Sequence, residues 1–160
     1  MNNIEQHSVD SVLIDHNNLM VSIKSVPVTN TIRSKSTKRI AEKGINIANI
    51  SQTSPVNGTY DLSFIVSETD HDAIREVLDE LGKQYPELKL TINTDVSRLV
   101  VYGIGMRTQP GVTAKFLNAL AENDIQILMM TTSEISISCI IHTKDSKKAE
   151  QAEKKAFDIQ

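Results

Sequence analysis

A chain of 160 residues with 39% hydrophobic and 23% charged side chains and no long apolar run has the composition of a soluble globular protein, not of a membrane-spanning or disordered one. A net charge of −3, no tryptophan, three tyrosines and three phenylalanines leave neither the basic footprint nor the stacking platform of a nucleic-acid binder. The polar start Met1-Asn-Asn-Ile-Glu-Gln-His7 lacks the apolar stretch of a signal peptide, and the lone Cys139 has no internal disulfide partner, so a cytoplasmic address is expected.

In chain order, Ser11-Val-Leu-Ile14 reads as a short strand, and Met20-Val-Ser-Ile-Lys-Ser-Val26 alternates like a half-buried one. A helix over Ile32 to Lys43 follows, on which Arg33, Lys35, Lys38, Arg39 and Lys43 form either a solvated face or an anion or partner patch. Ile45 to Ser51 and Thr59 to Val66 are strands joined through Pro55-Val-Asn-Gly58, where Asn-Gly favours positive φ. His71 to Lys83 is a second helix opened by Thr69 or Asp70, with Ile74, Val77, Leu78 and Leu81 inward. Leu88-Lys-Leu-Thr-Ile92 completes a βαββαβ unit, an antiparallel sheet with both helices on one face.

The pattern then restarts. Leu99 to Ile104 is a strand, Val112 to Asn123 a helix with Phe116, Leu117, Leu120 and Ala121 on one face, Ile125 to Met130 and Ile135 to Ile141 are strands, and Lys144 to Lys155 is a helix. Only Phe157-Asp-Ile-Gln160 remains, too little for a fourth strand. The restart is a true repeat: Ile40-Ala-Glu-Lys-Gly-Ile-Asn-Ile47 returns eighty residues later as Leu120-Ala-Glu-Asn-Asp-Ile-Gln-Ile127. The offset falls to seventy-five by Ser136, so the first copy carries five extra residues around Ser54 to Gly58. The spare strand Ser11 to Ile14 is expected to fill the missing slot of the second sheet, which makes residues 19–95 a first unit inserted within a second unit of residues 10–15 plus 98–160. Units this small bury only a marginal core and should pack on each other or on a second chain.

Candidate chemistry is sparse. His7, His16, His71 and His142 are scattered, no Cys/His, Ser/His or metal-ligand cluster appears, and no Gly-rich loop is placed to cradle phosphates. Cys139 lies in an apolar run and reads as a small buried hydrophobe. The chain is therefore read as non-catalytic, with no cofactor and no metal.

The segments Gly103-Ile-Gly-Met-Arg-Thr-Gln-Pro-Gly-Val112, Leu120 to Ile127 and Thr131-Thr-Ser-Glu-Ile-Ser-Ile137 resemble the regulatory region of aspartate kinase, which is built of paired ACT domains. The resemblance covers roughly residues 10 to 158 and rests chiefly on Met-x-x-x-Pro-Gly and Thr-Ser-Glu-Ile-x-Ile. It implies an α+β fold of tandem ferredoxin-like βαββαβ ACT domains, interleaved by strand borrowing. The Lys-x-Gly-Gly-Thr-Ser-like segment and the large kinase domain of that enzyme have no counterpart here, so the chain resembles a separate regulatory subunit or an excised regulatory region, and catalysis is expected of a partner.

The resemblance further implies that lysine, threonine or both act as allosteric effectors for feedback inhibition, that the partner is an aspartate kinase catalytic subunit or domain, and that ACT–ACT pairing gives a homodimer. Neither nucleic acid nor membrane is an expected partner. The alternative is a stand-alone ACT-type amino acid sensor controlling another enzyme or regulator. Effectors in this family bind where the loop after the first strand meets the next helix, which carries over to Met106, Gln109, Gly111, Val112, Gln126, Ile127, Thr132, Ser133 and Glu134. Pro110 would fix the loop, Glu134 would meet a lysine ε-ammonium, and Met106, Met129 and Met130 read as core or interface packing ahead of ligand contacts. The first copy keeps Gln52, but Val28-Thr-Asn-Thr31 replaces the usual Asp-Lys-Pro-Gly and Ser36 and Thr37 stand where the family buries apolar residues. Its site is expected to be altered or lost, with Thr29, Asn30 or Thr31 capping the helix.

Overall fold

Two strands run much further than their apolar segments alone indicate. In the computed structural model, which describes residues 8–29 and 31–160, β1 (Ser11–Pro27) joins the two apolar segments at the start of the chain into one strand. β4 (Lys89–Tyr102) likewise joins the segments around Leu90 and Leu99. The polar stretches between them, around Asp15 to Asn18 and Asn93 to Ser97, read as breaks in sequence. They stay extended because their side chains find partners: His16 Nδ1 lies 2.8 Å from Ser97 Oγ, Ser97 Oγ lies 3.1 Å from Thr143 Oγ1, and Arg98 is 3.7 Å from Asp15. Residues 1–7, with His7, and the candidate cap Asn30 lie outside the described residues.

The remaining elements are α1 (Thr31–Glu42), β2 (Ala48–Gln52), β3 (Thr59–Ser67), α2 (His71–Gln84), α3 (Val112–Glu122), β5 (Met129–Thr132), β6 (Ser136–His142) and α4 (Ser146–Ala156). Short 3-10 turns occupy Glu68–Asp70, Ile104–Arg107 and Thr143–Asp145. The chain divides into two compact units, a middle one of Asn17–Val96 and a terminal one of residues 8–16 with Ser97–Gln160. Both β1 and β4 contribute residues to each unit.

In the middle unit the strands lie in the order β2-β3-β1-β4, with β3 antiparallel to both β1 and β2. Leu19, Val21 and Ile23 of β1 and Tyr60, Leu62, Phe64 and Val66 of β3 recur every second residue and bury one sheet face against Ile32 and Ile40 of α1 and Ile74, Val77, Leu78 and Leu81 of α2. The two helices are tied together by Arg39, which donates to Glu80 at 2.9 and 3.1 Å and holds that carboxyl below its ordinary range, and by Lys43 to Glu76 at 2.9 Å. Two of the five basic residues expected on this segment, Arg39 and Lys43, are thus paired with carboxylates of α2. The hairpin before β3 takes positive φ at Asn57 and Gly58, and Val56 and Thr59 bridge across it. Asp70 occupies the position before α2 but makes no side-chain cap; Ser67 Oγ instead accepts from the Thr69 backbone N–H at 3.3 Å.

In the terminal unit the order is β1-β4-β6-β5, with β5 and β6 antiparallel from Met129↔Ile140 to Thr132↔Ile137. The buried face of α3 is Val112, Phe116, Ala119 and Leu120; Leu117 and Ala121, expected on it, are exposed, being one residue out of phase with the stripe. Phe116 has Ser36 as its repeat counterpart. Ser36 is also buried and satisfies its own hydroxyl by donating to the Ile32 carbonyl at 2.6 Å, so the middle unit fills that position with a self-bonded serine where the terminal unit packs a ring.

Cys139 is a free, buried thiol, pushed up to about 12 by desolvation and then by the charge of Glu153. Glu153 of α4 is fully buried, neither of its carboxyl oxygens has a hydrogen-bond partner, and burial pushes its pKa from 4.5 up to about 8. The folded chain therefore binds a proton at Glu153 that the unfolded chain releases between about pH 4.5 and 8. Stability from this group is full below that window and falls by at most about 1.4 kcal/mol per pH unit as pH rises through it. Thermal melts at pH 5 and pH 8.5 should show wild type losing stability at the higher pH, while Glu153→Gln should melt at nearly the same temperature at both.

Candidate functional site

At the end of β4 the chain makes a sequence of constrained moves. Gly103 has an extended backbone and donates its N–H to the Ile135 carbonyl at 2.8 Å, while the N-terminal segment passes directly over it. A Cβ at this residue would lie 2.2 Å from the Ser8 carbonyl oxygen and 2.7 Å from the Val9 Cα, so the close approach is with that segment and not with the following helix. The 3-10 turn Ile104–Arg107 and Pro110 then lead to Gly111 at φ +89°, the residue before α3. An N-cap without a side chain leaves the first-turn N–H groups of Val112, Thr113 and Ala114, which have no acceptor within the helix, directed at whatever occupies the space beyond. That space is open at Gly111.

It forms a groove of about 580 Å³ lined by Met106, Arg107, Gln109, Pro110, Gly111, Val112, Thr113 and Ala114 on one side and by Thr132, Ser133, Glu134 and Ile137 on the other. The second wall is the β5–β6 turn. Ser133 holds this turn closed: its N–H donates to the Ser136 carbonyl at 2.9 Å, its Oγ is 2.8 Å from Ser136 Oγ, and the Ile135 N–H donates to it at 3.3 Å. Arg107 Nε lies 3.3 Å from Glu134 Oε2, with both side chains well exposed. The groove thus offers backbone donors at a helix N-terminus, a carboxylate, a guanidinium and several hydroxyls.

Of the residues singled out in sequence, Met106, Gln109, Gly111, Val112, Thr132, Ser133 and Glu134 come together here. Gln126 and Ile127 do not line the groove; Ile127 is half-buried against the terminal-unit core. Gln52 belongs to the other unit, where it accepts a hydrogen bond from Arg33, whose guanidinium also sits 5.2 Å over the Tyr60 ring. Met106 and Met130 also pack on the terminal-unit core, and Met129 is buried. Sequence reasoning passed over Arg107, Thr113, Ala114 and Ile137 as lining residues. Spacing could have found Thr113 and Ala114, which are the next two residues of the helix start, and strand alternation could have found Ile137; nothing local marks Arg107. Among the described residues no group of three His, Cys, Asp or Glu could hold a metal ion, and no helix is long and apolar enough to cross a membrane.

Residues 99–157, which carry this groove, match the model of the ACT domain family, so the fold and site define an α+β regulatory domain of that class. Three relatives narrow this further. Aspartate kinase of Pseudomonas fluorescens is 28% identical over 98% of this chain and 38% of its own length. The ligand-free regulatory subunit of aspartate kinase from Thermus thermophilus superimposes with a TM-score of 0.87 at 26% identity, covering 94% of this chain and 99% of that one. A chain from the structure of aspartokinase alpha and beta subunits does so at 0.85 and 30%, again over 94% and 99%. The chain belongs to the aspartate kinase family and corresponds to its regulatory, non-catalytic part. It spans about two fifths of the length of the curated relatives it matches.

Gly103→Ala provides a direct check on the geometry that delivers the chain to the groove. The added methyl must push the backbone at Ser8 and Val9 aside, so the variant should lower the melting temperature by several degrees, the effect of roughly 1–3 kcal/mol from overpacking. Gly44→Ala, with open space around it, should cost only the left-handed backbone penalty of about 1 kcal/mol.

Proposed function

We propose that this chain senses lysine, threonine or both on behalf of an aspartate kinase catalytic subunit or domain and feedback-inhibits it. The two units are read as two ACT domains, with residues 19–95 inserted into a domain of residues 10–15 plus 98–160. The working sensor is the groove of the terminal unit. One observation carries the reading: a glycine-capped helix start and an acidic side chain line the same cavity, and the cavity is large enough for a free amino acid. The α-carboxylate of the effector would take the first-turn N–H groups of α3, as anions do at helix N-termini. Glu134 would receive a cationic side chain, which favours lysine over threonine.

The middle unit is a poorer candidate. Its helix starts at Thr31, where the terminal unit has Gly111, and the strand residue Gln52 is engaged by Arg33 of the same unit. Inhibition would be a population shift: the effector binds one arrangement of the regulatory part better, and the kinase feels the bias. Coupling of about 1–3 kcal/mol gives inhibition from several-fold to roughly a hundredfold. Association of two such chains through ACT pairing and residence in the cytoplasm complete the proposal.

Glu134→Ala should weaken lysine binding by about tenfold or more in calorimetric titration, the loss of one charge-assisted contact of roughly 1.5–3 kcal/mol, without lowering the melting temperature. Ser133→Ile should weaken it too while costing some stability, since Ser133 also ties the β5–β6 turn. Wild-type affinity in both variants would remove lysine from this groove.

A further inference from the structure

The ion pair between Arg107 and Glu134 does no evident work for the fold. The two side chains are 59% and 77% exposed, at 3.3 Å, and a pair so open to water contributes little to stability. Yet both residues line the groove of the terminal unit that brings together the α3 start and a carboxylate, and among the described residues lining it Glu134 alone is acidic. Its partner is thus supplied by the protein itself.

We propose that Arg107 is a resident counter-cation on Glu134 that a ligand ammonium must displace, so that Arg107 sets how strongly the groove prefers a cationic amino acid over a neutral one. The proposal rests on the reading of this groove as the effector site. A carboxylate already neutralised by a guanidinium attracts a second cation less, and the guanidinium repels it at short range. Exchange is possible because Arg107 closes a four-residue 3-10 turn and is more than half exposed, so its side chain can swing into water as the ammonium takes its place. A neutral ligand needs no exchange and should not register the arginine. The arrangement has a parallel in the middle unit, where Arg33 occupies Gln52 and Tyr60, but there neither partner is a carboxylate.

The test is calorimetric titration of wild type, Arg107→Gln, Glu134→Gln and the double variant with lysine and with norleucine, which has the same four-carbon side chain but no ε-ammonium. Arg107→Gln is expected to tighten lysine about two- to fivefold and leave norleucine unchanged, with no change in melting temperature. In the double variant the gain should vanish, because the carboxylate that the arginine guards is gone. Weaker binding of both ligands by Arg107→Gln would make Arg107 a carboxylate ligand and overturn the proposal, as would an unchanged lysine affinity. If wild type binds neither ligand, the effector-site reading itself fails and takes this proposal with it; that result is distinct from binding that is present but insensitive to Arg107.

Discussion

The chain leaves the terminal unit inside β1, between His16 and Asn17, and returns to it inside β4, between Val96 and Ser97. Everything else follows from that constraint. The first strand of the terminal unit precedes the entire middle unit, and its sheet cannot be completed until residues separated by some eighty positions meet. Loop closure of that length costs entropy, though only logarithmically in length, and an already folded middle unit would shorten the effective loop. The polar contacts among His16, Ser97 and Thr143 sit at this crossing and fix the register on the terminal side, where a break in the strand would otherwise leave backbone groups without partners.

The candidate site inherits its position from the same strand. β4 ends at Tyr102, whose carbonyl accepts from the Asp10 N–H at 2.7 Å, and the next residue is the glycine that lies beneath Ser8 and Val9. The loop that carries Met106 to Gly111 therefore starts from an anchored point, and the opposite wall is anchored through Gly103 to Ile135 in the β5–β6 turn. A regulatory domain benefits from such a construction. The scaffold is held by packed apolar residues, while the groups that would answer to an effector, Arg107 and Glu134, are exposed and weakly tied.

How much of this was legible in the sequence depends on which physical signal each part leaves. Strand alternation and helical stripes placed the elements because the core is built from those periodicities: Val21 and Ile23 or Ile74, Val77 and Leu81 could hardly be read otherwise. The groove loop was legible only through the resemblance carried by Met-x-x-x-Pro-Gly and Thr-Ser-Glu-Ile-x-Ile, since a Pro-Gly pair alone is an ordinary way to enter a helix. The continuity of β1 and β4 was not, since the polar residues around His16 and Ser97 look like loop until their partners, far along the chain, are known. Glu153 was invisible for a related reason. Its neighbours in α4 are lysines, alanines, Glu150 and Gln151, and only tertiary packing turns this one glutamate, and not Glu150, into the core. Gln126 lies outside the groove and before the observed strand, which begins at Met129.

The measurement that reaches the central claim most directly is amide chemical-shift mapping of the isotope-labelled chain during titration with lysine. Saturable shifts are expected to concentrate on residues 103–115 and 131–137 of the terminal unit. Shifts that instead cluster around α1 and β2 of the middle unit, or none at all at millimolar lysine, would contradict the assignment of the sensor to this groove.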